Sequence, residues 1–314
     1  MKANVVLVYI LLFSLTILYS GCSKDITPTV YKTKNVIVVV VDGARYTETW
    51  GDSTHQYIPH RYSMLSEGVL CNNFMNNGVT STVPGHTAMC TGNYEILNNG
   101  GMEYPSFPSI FQYWLKLYPQ LTSSAWVIST KDKLEVLSDC KDVNWQGKFR
   151  PSTDCGNAGL GSGYRDDSTT FANLQSKLST NHIRIALVNF KQPDAAGHAN
   201  DSLAYLQGIF DTDNYIYQLW QQIQNDPFYK DQTTMIVTND HGRHTAGHLD
   251  GFVSHGDSCD GCRHIELFGI GPDFKKNYVT DWHYEQIDIA NTVAELMGFY
   301  MPTSKGKVMK NIFK

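Results

Sequence analysis

Five short runs of apolar, largely β-branched residues, set apart by longer stretches with a helical rhythm, restrict this 314-residue chain to few architectures. The clearest run is Asn35–Val41, NVIVVVV. It has no polar face to turn toward water, so it belongs in a sheet covered on both sides. Similar runs lie at Ala125–Ser129, 183–189, 234–238 and 265–270, and helical periodicity marks 60–67, 108–118, 170–178, 202–224 and 287–297. Such alternation predicts an α/β fold, a mostly parallel central sheet with helices on both faces. A chain of this length can form it as a single unit. Hydrophobic residues at 42% supply its core, and the glycine-rich stretch 156–165 is predicted to be a loop.

The N-terminus reads differently. Met1 and Lys2 precede an apolar stretch over 5–19, the layout of an export signal and too short to favour a membrane span. The segment closes on Tyr19-Ser20-Gly21-Cys22, similar to a bacterial lipobox with tyrosine where leucine is usual. Residues 1–21 are therefore expected to be a lipoprotein signal peptide, with lipidated Cys22 opening a polar tether over 22–34. The destination is the periplasm or the outer-membrane surface, reached through the lipid anchor alone. Of the remaining cysteines, sequence proximity suggests disulfides Cys140–Cys155 and Cys259–Cys262. The net charge of −5 and the lack of a basic tract argue against a nucleic-acid partner. Oligomeric state leaves no mark in the sequence.

Open α/β sheets bind ligands beyond the carboxyl ends of their strands. Asp42, Asp194, Asp240 and His241 fall just past apolar runs, and Thr82, His198 and His255 add a hydroxyl and two imidazoles. Three carboxylates, three imidazoles and a hydroxyl suffice to hold two divalent cations, with the hydroxyl as nucleophile. Thr82 precedes Pro84 and Gly85 and then residues able to propagate a helix, which puts its hydroxyl at a helix N-terminus.

The segment from Val79 to Gly92 resembles the nucleophile motif of the alkaline phosphatase superfamily, in its threonine-bearing phosphodiesterase and phosphate-monoesterase branches. Further matches follow in family order: Asp42-Gly43, Asp194-Ala195-Ala196-Gly197-His198, Asp240-His241-Gly242, and Ser254-His255-Gly256 ahead of Gly271-Pro272. The resemblance covers nearly all of 35–314 and implies one catalytic domain of three-layer sandwich form. It implies two zinc ions, one on Asp194, His198 and His255, the other on Asp42, Thr82, Asp240 and His241. It also implies a phosphothreonine intermediate on Thr82 and a small phosphate-ester substrate.

Asn98 and Asn99 lie at about the distance from Thr82 where relatives carry an asparagine that donates to a phosphoryl oxygen; spacing does not separate the two. Ser129-Thr130-Lys131-Asp132-Lys133 resembles a monoesterase S-x-K-D-R stretch, with Lys133 in place of arginine. Lys131 and Lys133 would then favour a dianionic monoester. A nucleotide pyrophosphatase or phosphodiesterase activity is the alternative, and a non-catalytic anchored binding lipoprotein is a third. His86, Arg243, His244 and His248 are not expected to be metal ligands; the last three either support His241 or touch substrate, or else lie at the surface.

Overall fold

A computed structural model describes residues 30–314; the expected signal peptide, Cys22 and most of the expected tether lie outside the described residues. Residues Tyr31–Lys314 form one compact unit. Its strands are β1 (Asn35–Val41), β2 (Gly68–Met75), β3 (Ala125–Ser129), β4 (Ser152–Cys155), β5 (Ile185–Phe190), β6 (Thr233–Thr238), β7 (His264–Ile270), β8 (Tyr278–Thr280) and β9 (Tyr284–Glu285). The α-helices are α1 (Pro59–Met64), α2 (Thr82–Thr91), α3 (Ile110–Leu117), α4 (Asp167–Asn181), α5 (Asp194–His198), α6 (Ser202–Asn225), α7 (Asp260–Arg263) and α8 (Asp288–Met297).

One sheet runs β4-β3-β5-β1-β6-β7-β2-β8, with β9 also on β2. The pairs from β4 to β6 are parallel, whereas β7 is antiparallel to both β6 and β2. The mostly parallel α/β sheet is thus present, with helices against both faces. The β1 run explains its central place. Val36, Val38 and Val40 enter one core with side chains of α2, α3 and α8, while Ile37, Val39 and Val41 enter the other with those of α4 and α6. Each valine taken fully out of water contributes roughly 1.5–3 kcal/mol, so only a two-sided cover satisfies this strand.

Two features depart from expectation. Strands β2, β4, β8 and β9 had no clear signal, because β2 (GVLCNNFM) mixes asparagines into its run and the others are short. All six described cysteines are free, so neither expected disulfide is present. In the parallel β3–β4 register Cys155 stands opposite Ser129, and its thiol turns to the Val127 carbonyl.

Candidate metal centre

Register gathers the site. Val41 pairs with Phe190 and Val40 with Thr238, so β1, β5 and β6 end together and release Asp42, Asp194 and Asp240-His241 at one edge. Helix α2 carries no charged residue and is buried along its whole length, which allows it to lie directly over that edge. Pro84 in its first turn needs no N–H partner. At Gly85 a Cβ would stand 2.4 Å from the Asp240 carbonyl oxygen, so glycine alone permits the close approach that delivers Thr82.

The polar atoms are arranged as acceptors. Asp240 Oδ1 accepts from the backbone N–H of Gly43 (3.1 Å) and of His241 (3.0 Å), while Oδ2 is buried without a hydrogen-bond partner. His241 Nδ1 donates to the Gly242 carbonyl at 2.8 Å, which leaves a lone pair on Nε2. That nitrogen is buried and unpartnered, 3.4 Å from Asp240 Oδ2 and 3.7 Å from Asp42 Oδ1. His255 Nδ1 likewise donates to the Thr80 carbonyl at 2.7 Å, so its Nε2, 3.5 Å from Asp194 Oδ1, is also an acceptor. The His241 and His255 rings stack with centroids 3.7 Å apart.

Ligand atoms of Asp42, Asp240 and His241 lie within 4.8 Å of one another, as do those of Asp194, His241 and His255. His241 is therefore common to both groups, where the resemblance implied it for one alone. His198 stands at the rim with its side chain half exposed. Its Nδ1 faces an Arg243 guanidinium nitrogen at 3.3 Å and so accepts, which puts the ring proton on Nε2, directed at His255 Nε2 3.1 Å away. In this arrangement His198 supports His255, and a ligand role would require its Nε2 to exchange that proton for a cation.

Burial lifts the Asp42 carboxyl to about 6 and pushes that of Asp240 well up, aided by the charge of Asp42. Burial also works on Asp194, but Lys131, His241 and Arg243 hold it well below the usual range. Burial drives His255 down to about 4 and His241 well down. Both imidazoles are thus neutral ligand groups at neutral pH.

Lys131, 2% exposed, is the chain's own cation here. Its ammonium donates to Asp42 Oδ1 (2.8 Å), Asp194 Oδ2 (2.7 Å) and Thr82 Oγ1 (3.3 Å). Burial opposes its charge, yet Asp194, Asp42 and Asp240 hold it protonated. Lys133 is buried beside it, and burial together with the Lys131 charge lowers its ammonium to about 8. Lys131 and the Arg243 guanidinium serve Asp42 and Asp194, but Asp240 Oδ2 and His241 Nε2 are left without a partner. The residues therefore fit divalent cations bound through nitrogen and oxygen.

The two asparagines separate. Asn99 Oδ1 accepts from the Val83 N–H at 2.8 Å, at the N-terminus of α2 beside Thr82. Asn98 Oδ1 accepts from Gly100 N–H at 2.7 Å and closes a turn, so its side chain serves the loop and not the centre. His86 Nδ1 donates to the Thr82 carbonyl one turn back within α2 at 2.8 Å, so it packs inside the helix and does not cap it.

Two further residues support the centre: Arg243, which the sequence left open between a support of His241 and a surface place, and Asn189, which sequence reasoning missed. Arg243, fully buried, binds Asp194 Oδ1 and the carbonyls of Phe252 and Val253, tying the loop ahead of His255 to Asp194. Asn189 Nδ2 donates to Asp42 Oδ2 at 3.0 Å and faces His86 Nε2 at 3.2 Å, while its Oδ1 accepts from Ser129 Oγ at 3.1 Å. The available signal was a polar residue next to the end of an otherwise apolar buried strand.

The Metalloenzyme superfamily model matches residues 123–257, a span that holds Asp194, His198, Asp240, His241 and His255. No curated protein sequence matches the chain. Among solved structures it resembles a phosphonate monoester hydrolase of Silicibacter pomeroyi (TM-score 0.65, 14% identity, covering 88% of this chain and 76% of that one). It resembles murine ectonucleotide pyrophosphatase/phosphodiesterase 5 (TM-score 0.61, 15%, 89% and 100%). A third likeness is the lipoteichoic acid synthase LtaP of Listeria monocytogenes (TM-score 0.61, 13%, 88% and 74%). Residues 123–257 thus match the Metalloenzyme superfamily model, and the described chain shares its fold with these proteins.

Proposed function

We propose that the protein is an exported phosphate-ester hydrolase that acts through Thr82 and favours monoesters. The observation that carries this reading is Thr82 Oγ1 lying 3.3 Å from an ammonium that is itself bonded to Asp42 and Asp194. A hydroxyl at a helix start, beside buried carboxylates and acceptor imidazoles, suits nucleophilic attack on phosphorus.

Two divalent cations, zinc being suited to this donor set, would lower the pKa of the threonine hydroxyl and offset charge on the leaving oxygen. Asp42, Asp240 and His241 would hold one, and Asp194 and His255, with His198 in reach, the other. Thr82 Oγ1 gives its proton to solvent and forms the new bond to phosphorus as the ester P–O bond breaks, and the alcohol departs with a proton from solvent. Water then attacks the phosphothreonine from the opposite side and frees Thr82, with net retention of configuration.

With the Val83 and Gly85 N–H groups already bonded, the N-terminal end of α2 would offer the Thr82 N–H to a phosphoryl oxygen. Asn99 spends its carbonyl oxygen on Val83, so its NH2 group is the one left to donate to substrate. Two lysines, Lys131 and Lys133, fit the additional charge of a monoester dianion. A diesterase reading draws support from the likeness to the murine phosphodiesterase, also solved as an inactive threonine-to-alanine form in complex with AMP.

Turnover of p-nitrophenyl phosphate against its bis-ester tests the preference. Lys131→Ala should lower monoester kcat/KM more than diester kcat/KM; equal losses would overturn the monoester assignment. Export and the lipid anchor predict palmitate labelling that disappears in Cys22→Ser. Metal binding with no hydrolysis of either ester would support the binding-lipoprotein alternative.

A further inference from the structure

Among the described residues a second cluster of ligand groups converges away from Thr82. One ligand atom each from His244, Asp257, Cys259 and Cys262 lies within 4.8 Å of the others. The centre described above contains no sulfur ligand; this cluster has two.

His244 is 3% exposed, and its orientation is set. Nδ1 lies 2.8 Å from Asp250 Oδ1, a carboxylate that only accepts, so Nδ1 carries the proton and Nε2 the lone pair. Nε2 is buried and has no hydrogen-bond partner, with Asp257 Oδ2 at 3.4 Å. Two acceptors face each other with nothing shared between them. A carboxylate behind an imidazole whose far nitrogen points into a ligand cluster is the usual support of a metal-bound histidine.

The other ligands are equally prearranged. Asp257 Oδ1 accepts from the Cys259 N–H at 3.0 Å, and Oδ2 faces His248 Nε2 at 3.0 Å. The Cys262 N–H donates to the Cys259 carbonyl at 3.1 Å, a turn that draws the two thiols together. A Cβ on Gly261 would stand 2.5 Å from the Arg243 carbonyl oxygen, so this turn packs on the backbone leading into His244 only with glycine there.

We propose that His244, Asp257, Cys259 and Cys262 form a closed tetrahedral site for one structural zinc ion, separate from the catalytic centre. Two sulfurs, one imidazole nitrogen and one carboxylate oxygen complete four-coordination with no open position, the mark of a structural site. Both thiols give up their protons on binding. The site braces the centre through short links. Thr80 Oγ1 donates to the Asp257 carbonyl at 2.7 Å, and the Thr80 carbonyl accepts from His255 Nδ1 at 2.7 Å. The Gly242 N–H donates to the Cys262 carbonyl at 2.8 Å. An ion here would fasten the loop that carries His255 to the segment that leads into Thr82.

Cobalt(II) reconstitution of the full chain, purified with reductant and stripped of metal, tests the site. The expected result is a strong near-ultraviolet thiolate-to-cobalt charge-transfer band, lost in Cys259→Ser/Cys262→Ser, and one equivalent more bound metal in wild type than in that variant. An all-nitrogen-and-oxygen centre produces no such band, so the readout stands even if the hydrolase reading fails. A spectrum without the band, or mass mapping of protein purified without reductant that shows a Cys259–Cys262 disulfide, would overturn the proposal. If the double variant does not fold, the wild-type spectrum still decides.

Discussion

Two buried ionic clusters lie on this fold, and they differ in the sign of what they lack. Arg61 on α1, Asp213 on α6 and Glu266 on β7 are all fully buried. Arg61 Nε bonds Asp213 Oδ1 at 2.8 Å and Nη1 bonds Glu266, while Asp213 also accepts the backbone N–H groups of His60 (2.8 Å) and Arg61 (3.2 Å). Its leftover atoms are one donor, Arg61 Nη2, and one acceptor, Glu266 Oε2. At the sheet edge the leftover atoms Asp240 Oδ2 and His241 Nε2 are both acceptors. The Arg61 cluster is closed by its own cation and ties elements together, whereas the sheet-edge cluster, beyond what Lys131 and Arg243 satisfy, keeps converging lone pairs that suit a cation from solution.

That contrast can be broken in order of expected effect. Thr82→Ala should reduce ester hydrolysis on the order of 10⁴-fold or more, with metal content and melting profile little changed. Residual turnover near wild type in a steady-state assay would remove Thr82 from the chemistry. Arg61→Met should cost about 3–5 kcal/mol in denaturant unfolding, because two carboxylates are left buried without their partner, while kcat of the folded fraction is retained. A loss of metal in that variant would show the two clusters to be coupled.

Chelation should destabilise wild type by about 2.7 kcal/mol if the ions were present at 100 times their Kd, and Arg61→Met by the same increment if the clusters are independent. Differential melting with and without chelator measures both. Arg243→Lys keeps the charge but loses the planar fork that spans Asp194 and two carbonyls, so metal affinity should fall about 10–100-fold by competitive titration. Asn98→Ala should be nearly silent, within about 0.5 kcal/mol in stability and without effect on kcat/KM, because its side chain only closes a turn. A large loss of activity there, with Asn99→Ala silent, would reverse their assignment.

The parts legible in advance were those with a local cause. β1 announced itself because six consecutive β-branched apolar positions, Val36–Val41, have one stable setting, and Thr82 because proline and glycine follow a hydroxyl at a helix start. β2 was obscured because Asn72 and Asn73 interrupt its apolar pattern, and they are tolerated where the strand's register shifts between Cys71 and Phe74. Asn98 and Asn99 were indistinguishable as neighbours of one type; only the turn at Gly100 and the docking of Val83 tell them apart. Arg243 read equally as a support of the site and as a surface residue beside a motif, and packing decides between them by burying it fully.

Taken alone, the sequence determined the class of fold, the chemistry of the donor atoms and the strand ends that carry them, because hydrophobic periodicity and side-chain type are local properties. Only the tertiary structure decided that His241 faces both ligand groups, that His198 leans on Arg243, that Lys131 enters the carboxylate cluster and that two cysteines meet His244. Those outcomes depend on which lone pair points where. Direction is set by hydrogen bonds between residues tens to hundreds of positions apart, and no spacing along the chain encodes it.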